Sequence, residues 1–190
     1  MTAPPFLKGA DIHLRALQES DCQGAYLQWF NDAEVCRFNG HHLFPYQREE
    51  AEAYVRKVEL SPSDLVLAIV LTAGDRHIGN VSLQNINLVH RSAEFAIVLG
   101  EKEIWGKGYS KQAARLILNH GFLTLNLQRV ECGTAETNIP MQRLAESLGM
   151  QKEGCRRQAL FRENRYLDIV EYGVLKEEYL RKCHGTGGAH

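Results

Sequence analysis

Long apolar runs are missing from this sequence. No stretch approaches the roughly 18 consecutive apolar residues that cross a bilayer. The opening MTAPPFLKGADIHLR lacks the apolar core of a secretory signal, so the expected location is the cytoplasm. Cysteine usage agrees: Cys22, Cys36, Cys132, Cys155 and Cys183 are odd in number, scattered and never spaced as C-x-x-C, the pattern of reduced thiols. Blocks of positive charge are missing too. With 22 basic and 23 acidic residues the formal net charge is -1, which argues against nucleic acid as a partner. Eight histidines are present, but only His41 and His42 are close together, and adjacent residues do not share a face. Without H-x-x-x-H or H-E-x-x-H, no metal is expected.

What remains is an ordinary globular composition, 44% hydrophobic and 24% charged over 190 residues, enough for one domain with a sizeable core. Periodicity predicts the elements. DIHLRALQ alternates as a strand; Ser20 and Asp21 offer an N-cap to a helix carrying Ala25, Tyr26, Trp29 and Phe30. NGHHLFPYQ is a loop and REEAEAYVRKV a second helix. DLVLAIVLT, apolar throughout, reads as a strand buried on both faces, and HIGNVSLQNI and AEFAIVLG as two more. A helix over about Ser110–Leu125 puts Ala114, Ile117, Leu118, Phe122 and Leu125 on one face. RVECGTAETN alternates again, a helix runs from about Pro140 to its stop at Gly149, and EGCRRQALF and LDIVEYGVL flank the turn RENR. The order predicts a mixed α/β sheet in a single domain.

The most informative stretch is EIWGKGYSKQAARLILNHGF, where Gly106 and Gly108 precede a helix. Backbone N–H groups and the helix dipole there favour an anion, a diphosphate above all. Glycines that merely make a tight turn are the competing explanation. A P-loop is excluded, because Gly100 stands one residue too far from Gly106-Lys107 and Gly108 follows the lysine. A dinucleotide fingerprint is excluded by Lys111 at its third glycine position and by three consecutive strands before the turn.

The loop over Trp105, Gly106, Lys107, Gly108, Tyr109 and Ser110 resembles the coenzyme A loop, [QR]-x-x-G-x-[GA], of the GNAT superfamily of N-acetyltransferases. Trp105 departs from the usual Gln or Arg. WFNDAEV, HRSAEFAIVL, NHGFLTLNLQRVE and ETNIPMQRLAESLGM follow the same family in the right order. WGKGY is common in its ribosomal-protein N-terminal acetyltransferase (RimJ/RimL-like) branch. The resemblance spans about Asp11 to Tyr179. It implies an α/β single-domain GNAT fold with a mostly antiparallel sheet of about seven strands flanked by about four helices. The domain would occupy residues 1–182, with a disordered tail over 183–190.

The resemblance also implies a mechanism: acetyl-CoA as co-substrate, no metal, and direct attack by a primary amine in a ternary complex. The acceptor is expected to be a peptide N-terminus or a small-molecule amine, and the protein a monomer or homodimer, with neither nucleic acid nor membrane as partner. The diphosphate would meet Trp105 to Ser110. The pantetheine arm would meet the exposed strand edge at Ile97, Val98 and Leu99, and Asn138, which also reads as a helix N-cap. Glu94, a carboxylate in an apolar strand, is expected to be partly desolvated and to act as general base; a surface pairing with Arg91 is the alternative. The family's general-acid tyrosine falls at Ala145 and its alternative serine at Met141, neither a proton donor. Cys132 reads as core rather than as a covalent nucleophile. Acceptor contacts are expected from Trp29, Phe38, Tyr46 and Arg162. Polyamine and amino-sugar acetylation and a non-catalytic acyl-CoA sensor stand as alternatives, polyamines last because NGHHLFPYQ has no carboxylate.

Overall fold

The computed structural model describes residues 3–185. β1 (Leu7–Lys8) and β2 (Ile12–Ala16) lead through a 3-10 turn (Glu19–Gln23) to α1 (Tyr26–Phe30) and α2 (Arg48–Glu59). Three antiparallel strands follow: β3 (Leu65–Leu71), β4 (Arg76–Asn87) and β5 (Ser92–Leu99). After the glycine turn come α3 (Tyr109–Asn119), β6 (Arg129–Ala135), α4 (Ile139–Leu148), β7 (Gln151–Arg162), β8 (Arg165–Leu175) and α5 (Lys176–Gly185). The strands form one sheet in the order β1-β2-β3-β4-β5-β6-β8-β7.

Every neighbouring pair is antiparallel except β5 and β6, which run parallel and pair only at Ser92–Arg129, Ala93–Val130 and Glu94–Glu131. Beyond that third rung the two strands part, leaving the second half of β5 with a free edge toward β6. This splay is the feature on which the site is built.

Alternation divides the sheet into two cores. Leu67, Ile69, Val81, Leu83, Ala93 and Phe95 pack with Ala113, Ala114, Ile117 and Leu118 of α3 and with Ala145 and Leu148 of α4. On the opposite face Val66, Ala68 and Val70 pack with Tyr26, Trp29 and Phe30 of α1 and Ala51 and Val55 of α2. The apolar run of β3 is buried on both sides, as its composition requires.

Four differences from the sequence expectation have local causes. The sheet gains β1, and so has eight strands. The first helix is divided: Asp21 is held by Arg15 and by the Gln18 backbone, the 3-10 turn ends at Gly24, and only Tyr26–Phe30 is α-helical. α3 stops at Asn119 and continues as a single π-helical turn, His120–Thr124. The tail expected to be disordered is helical through Gly185. Glu178 accepts from the Leu175 N–H at 3.0 Å, and buried Tyr179 packs on Phe122 with ring centres 5.0 Å apart, so α5 is anchored. Residues 186–190 of that expectation lie outside the described residues.

Candidate active site

The glycine turn is built by backbone conformation. Gly106 has φ 77° and Gly108 φ 87°, a region where a side chain is strained. A Cβ at either position would meet no protein atom within 4 Å, so crowding within the fold does not demand glycine there and the space above the turn is open. Gly108 is the N-cap of α3 and no side chain caps it. The N–H groups of Gly106, Gly108, Tyr109 and Ser110 have no partner among the described residues, as the first turn of a helix requires unless something caps it. Lys107 and Lys111 flank this row of donors. Trp105 turns its indole N–H back onto the Leu99 carbonyl at 2.9 Å, which ties the turn to the end of β5.

The free edge of β5 belongs to alternate residues. Gly100 donates to Ile78 of β4, and Val98 is the register partner of Asn80, so the even-numbered residues are spent on β4. The backbone groups of Phe95, Ile97 and Leu99 face the splay, and the Leu99 carbonyl is already taken by Trp105. Val98 therefore does not belong with the edge groups predicted from the sequence. Its side chain faces the opposite core instead.

Glu94 stands on the last rung of the β5–β6 pair, and its β4 partner is Gln84. Its carboxylate accepts from Asn85 Nδ2 at 3.3 Å. The expected partial desolvation is absent: Glu94 is exposed, and so is Glu131 beside it, because two neighbouring like charges stay hydrated. Arg91 is not its partner; that guanidinium binds the carbonyl and side chain of Asn126 at 2.7 Å.

On the same face as Glu94 lies a cavity of about 350 Å³ between the sheet and α1–α2, within the size range of small-molecule sites. Tyr26, Phe30, Tyr46 and Tyr54 form its walls, joined by Asn39 and His41 of the intervening loop. Its floor is Asn80, Ser82 and Gln84 of β4 beside Ala96 and Val98 of β5. Burial pushes the Tyr46 phenol up to about 12 and raises Tyr26 further, so both remain neutral hydroxyls. Burial also lowers His41, whose ring keeps a solvent-facing side but lies 4.4 Å from that of Phe30. A larger surface hollow of about 470 Å³ at the bulge of β7 is lined by Arg157 and Gln158 alone and brings together no reactive groups.

Of the predicted acceptor residues, only Tyr46 lines this cavity. Trp29 is 3% exposed and lies flat against Gly100, where an added Cβ would fall 1.8 Å from the indole; its N–H donates to Glu101 at 3.0 Å. Phe38 lies outside, beneath the Arg37 guanidinium at 5.3 Å. Arg162 donates to the carbonyls of Asn39 and Phe161, so it braces the cavity wall from the β7–β8 hairpin, as does the Arg37–Glu163 pair at 2.9 Å. The sequence reading missed Tyr26, Tyr54, Asn80, Ser82 and Gln84. Polar residues at alternate positions of an otherwise apolar strand were the available signal.

Asn138 is the N-cap of α4: its carbonyl accepts from the Met141 N–H at 3.3 Å and its amide donates to Thr134 at 2.9 Å. Ala145 is fully buried in the α3–α4 core. Cys132 is buried against Met150, and burial pushes its thiol up to about 12, which removes it as a nucleophile at neutral pH. Among the described residues no group of three or more His, Cys, Asp or Glu is placed to hold a metal, and no helix is long and apolar enough to cross a membrane.

These features have counterparts in known proteins. Residues 11–151 match the family model described as an acetyltransferase (GNAT) domain. The chain is 28% identical over 172 residues to the uncharacterized N-acetyltransferase p20 of Bacillus licheniformis, covering 88% of this chain and 94% of that one. It is 28% identical over 181 residues to the spermidine N(1)-acetyltransferase of Escherichia coli K12, covering 93% and 92%. The crystal structure of spermidine N-acetyltransferase from Vibrio cholerae in complex with CoA and spermine superposes with a TM-score of 0.82 at 27% identity, covering 90% of this chain and 99% of that one. With the domain model spanning most of the chain, and the splayed strands and capless glycine turn in the same molecule, the protein belongs to the GNAT acetyltransferase family.

Proposed function

We propose that this protein is an acetyl-CoA-dependent N-acetyltransferase of the cytoplasm that acetylates a primary amine by direct attack in a ternary complex. The observation that carries the reading is the position of Glu94, on the last rung before the splay, with the unsatisfied glycine turn beyond one end of β5 and the cavity on its own face. Coenzyme A would lay its diphosphate on the N–H groups of Gly106, Gly108, Tyr109 and Ser110, beside the Lys107 and Lys111 side chains. Its pantetheine arm would pair with the free edge at Ile97 and the N–H of Leu99. The amine in the cavity gives its ammonium proton to Glu94, directly or through water. Its nitrogen then attacks the thioester carbonyl, the C–N bond forms, the C–S bond breaks to release CoA thiolate, and the second proton shed by the nitrogen passes to water or to the thiolate. Asn138, held by its cap and by Thr134, keeps one amide hydrogen and one oxygen lone pair with which to meet the pantetheine. Neither Ala145 nor Met141 can protonate the thiolate.

Within the family the ribosomal-protein N-terminal acetyltransferase branch is our first choice. Spermidine is the acceptor named for two of the relatives, but no aspartate or glutamate lines the cavity itself, and a polycation needs such partners. The test is CoA release monitored with Ser- and Ala-starting peptides, an amino sugar and spermidine, with mass detection of the product. Acetylated peptide is the expected result. CoA binding with no product from any amine would replace the enzyme by a non-catalytic acyl-CoA sensor.

A further inference from the structure

We infer that the cavity selects primary amines carrying a hydrogen-bond-accepting oxygen, with Asn80 as the residue that reads that oxygen and the largely enclosed His77 as the residue that holds Asn80 in position. The inference rests on the acetyl transfer proposed at Glu94 and narrows its acceptor.

The argument begins behind the cavity. His77 is packed between Tyr26, stacked at 6.0 Å, and the edge of Trp29 at 4.9 Å. Its Nε2 lies 2.9 Å from the Gly79 carbonyl and 2.9 Å from the Asn80 side-chain oxygen. A backbone carbonyl can only accept, so Nε2 carries the hydrogen. With that N–H pointing at it, Asn80 must present its oxygen to His77 and turn its amide NH2 the other way; the reverse orientation would set two donors against each other. The ring's other nitrogen, Nδ1, stands 3.6 Å from Asp21, too far for a hydrogen bond. Asp21 is already satisfied by the Arg15 guanidinium at 2.7 and 2.8 Å and by the Gln18 N–H at 2.9 Å. The imidazole is thus clamped by its Nε2 contacts and the two rings, and the orientation of Asn80 is fixed from behind.

Asn80 lines the cavity, and its NH2 has no partner among the described residues. Two residues along the strand, Ser82 accepts from Gln84 Nε2 at 3.0 Å, which leaves the serine hydrogen unused. The Gln84 carbonyl is unused as well. The floor therefore presents N–H, O–H and C=O in sequence from Asn80 to Gln84, and Gln84 is the residue facing Glu94. The unused donors lie roughly 7–13 Å along the strand from the Glu94 rung. An amine poised at Glu94 meets Ser82 with an oxygen about two residue lengths away, as a sugar hydroxyl or a peptide carbonyl does, and Asn80 with one about four residue lengths away, as a later carbonyl of an extended peptide does. A polyamine brings only nitrogens that are protonated and donating, and would bury Asn80 and Ser82 unpaired.

The experiment compares a Ser-Ala-Ala-Ala tetrapeptide amide, glucosamine, spermidine and n-hexylamine with the wild-type chain and with Asn80→Asp, His77→Leu and His77→Gln. Binding in the presence of CoA is measured by calorimetry, and steady-state kinetics alongside. Wild type should favour the peptide amide or glucosamine over hexylamine by roughly 10²-fold or more in kcat/KM, and which of the two wins distinguishes the sources of the oxygen. Asn80→Asp replaces the donor by an acceptor and should weaken binding of the oxygen-bearing amine at least tenfold, raising KM more than kcat falls, with CoA affinity unchanged as the check on folding. His77→Leu should reproduce that effect, and His77→Gln, which keeps an N–H donor toward Asn80, should restore most of it. Equal binding of hexylamine and the peptide amide, or indifference of the best acceptor to Asn80→Asp, overturns the inference. Selective, Asn80-dependent binding without any product leaves the inference standing and overturns the catalytic reading alone.

Discussion

Glu94 and Glu131 face each other on the final rung of the parallel β5–β6 pair, and one residue later the strands separate. Two exposed carboxylates thus mark the point where the sheet opens. Both project from the cavity's face of the sheet, and Glu94 is the one joined to the cavity floor, through its antiparallel partner Gln84. Glu94→Gln is therefore expected to lower kcat by roughly 10²–10⁴, with the deficit shrinking at high pH, where the amine is already deprotonated. Glu131→Gln should change kcat far less. A near wild-type rate for Glu94→Gln at neutral pH rejects the assignment, and a loss that is the same at every pH makes Glu94 a binding group instead.

Gly108 carries a separate prediction. Its φ of 87° and the empty space around it mean that a valine costs backbone strain of roughly 1–3 kcal/mol but meets no neighbour in the fold. Gly108→Val should lose CoA binding in calorimetry and still melt cooperatively, a few degrees below wild type. Unchanged CoA affinity would remove the diphosphate from this turn.

Trp29 and Gly100 test the correction made to the acceptor site. Since a Cβ at Gly100 would overlap the Trp29 ring, Gly100→Ala forces overpacking of about 3 kcal/mol, or roughly 6–12 °C in Tm for a chain of this size. Trp29→Phe, which gives up the bond to Glu101 but keeps a ring, should lower Tm and leave KM for the amine within about twofold. A large KM change with an unaltered Tm would return Trp29 to the acceptor site.

The contrast between these residues shows what the sequence could reveal. Gly106 and Gly108 were legible because a left-handed turn before a helix is a demand on residue type. The strand order was legible because β3 is apolar throughout while β2 and β6 alternate. The cavity was not. Tyr26 and Trp29 are three residues apart and equally aromatic, and their roles diverge only because the 3-10 turn and Gly24 set the direction of a five-residue helix. Asn80, Ser82 and Gln84 read as ordinary strand residues until α1 and α2 close over them. Glu94 was placed correctly in its strand, but its exposure was not legible, because the splay that opens beside it follows from the three-rung parallel register with β6.

Stability should fall on mild acidification, and His77 should account for a measurable part. Burial holds the folded pKa of His77 below its ordinary value, outweighing the pull of Asp21. As pH falls, the unfolded chain takes up this proton first, near 6.5, so stability present above that value is lost progressively as pH drops toward the folded pKa. Asp21 acts lower on the scale. Burial raises it, but the hydrogen bond from Arg15, with His77 and the Gln18 N–H, holds it below the ordinary carboxylate value; its contribution is present above about 3.9 and is lost below. Denaturant midpoints measured between pH 8 and pH 5 should decline from about 6.5 downward. His77→Gln should flatten part of that decline, the remainder coming from His41 and His120, which burial also holds low. An identical slope in His77→Gln would mean that His77 takes up its proton at the same pH in the folded and unfolded chain, and a steeper decline that Asp21 holds it charged in the fold.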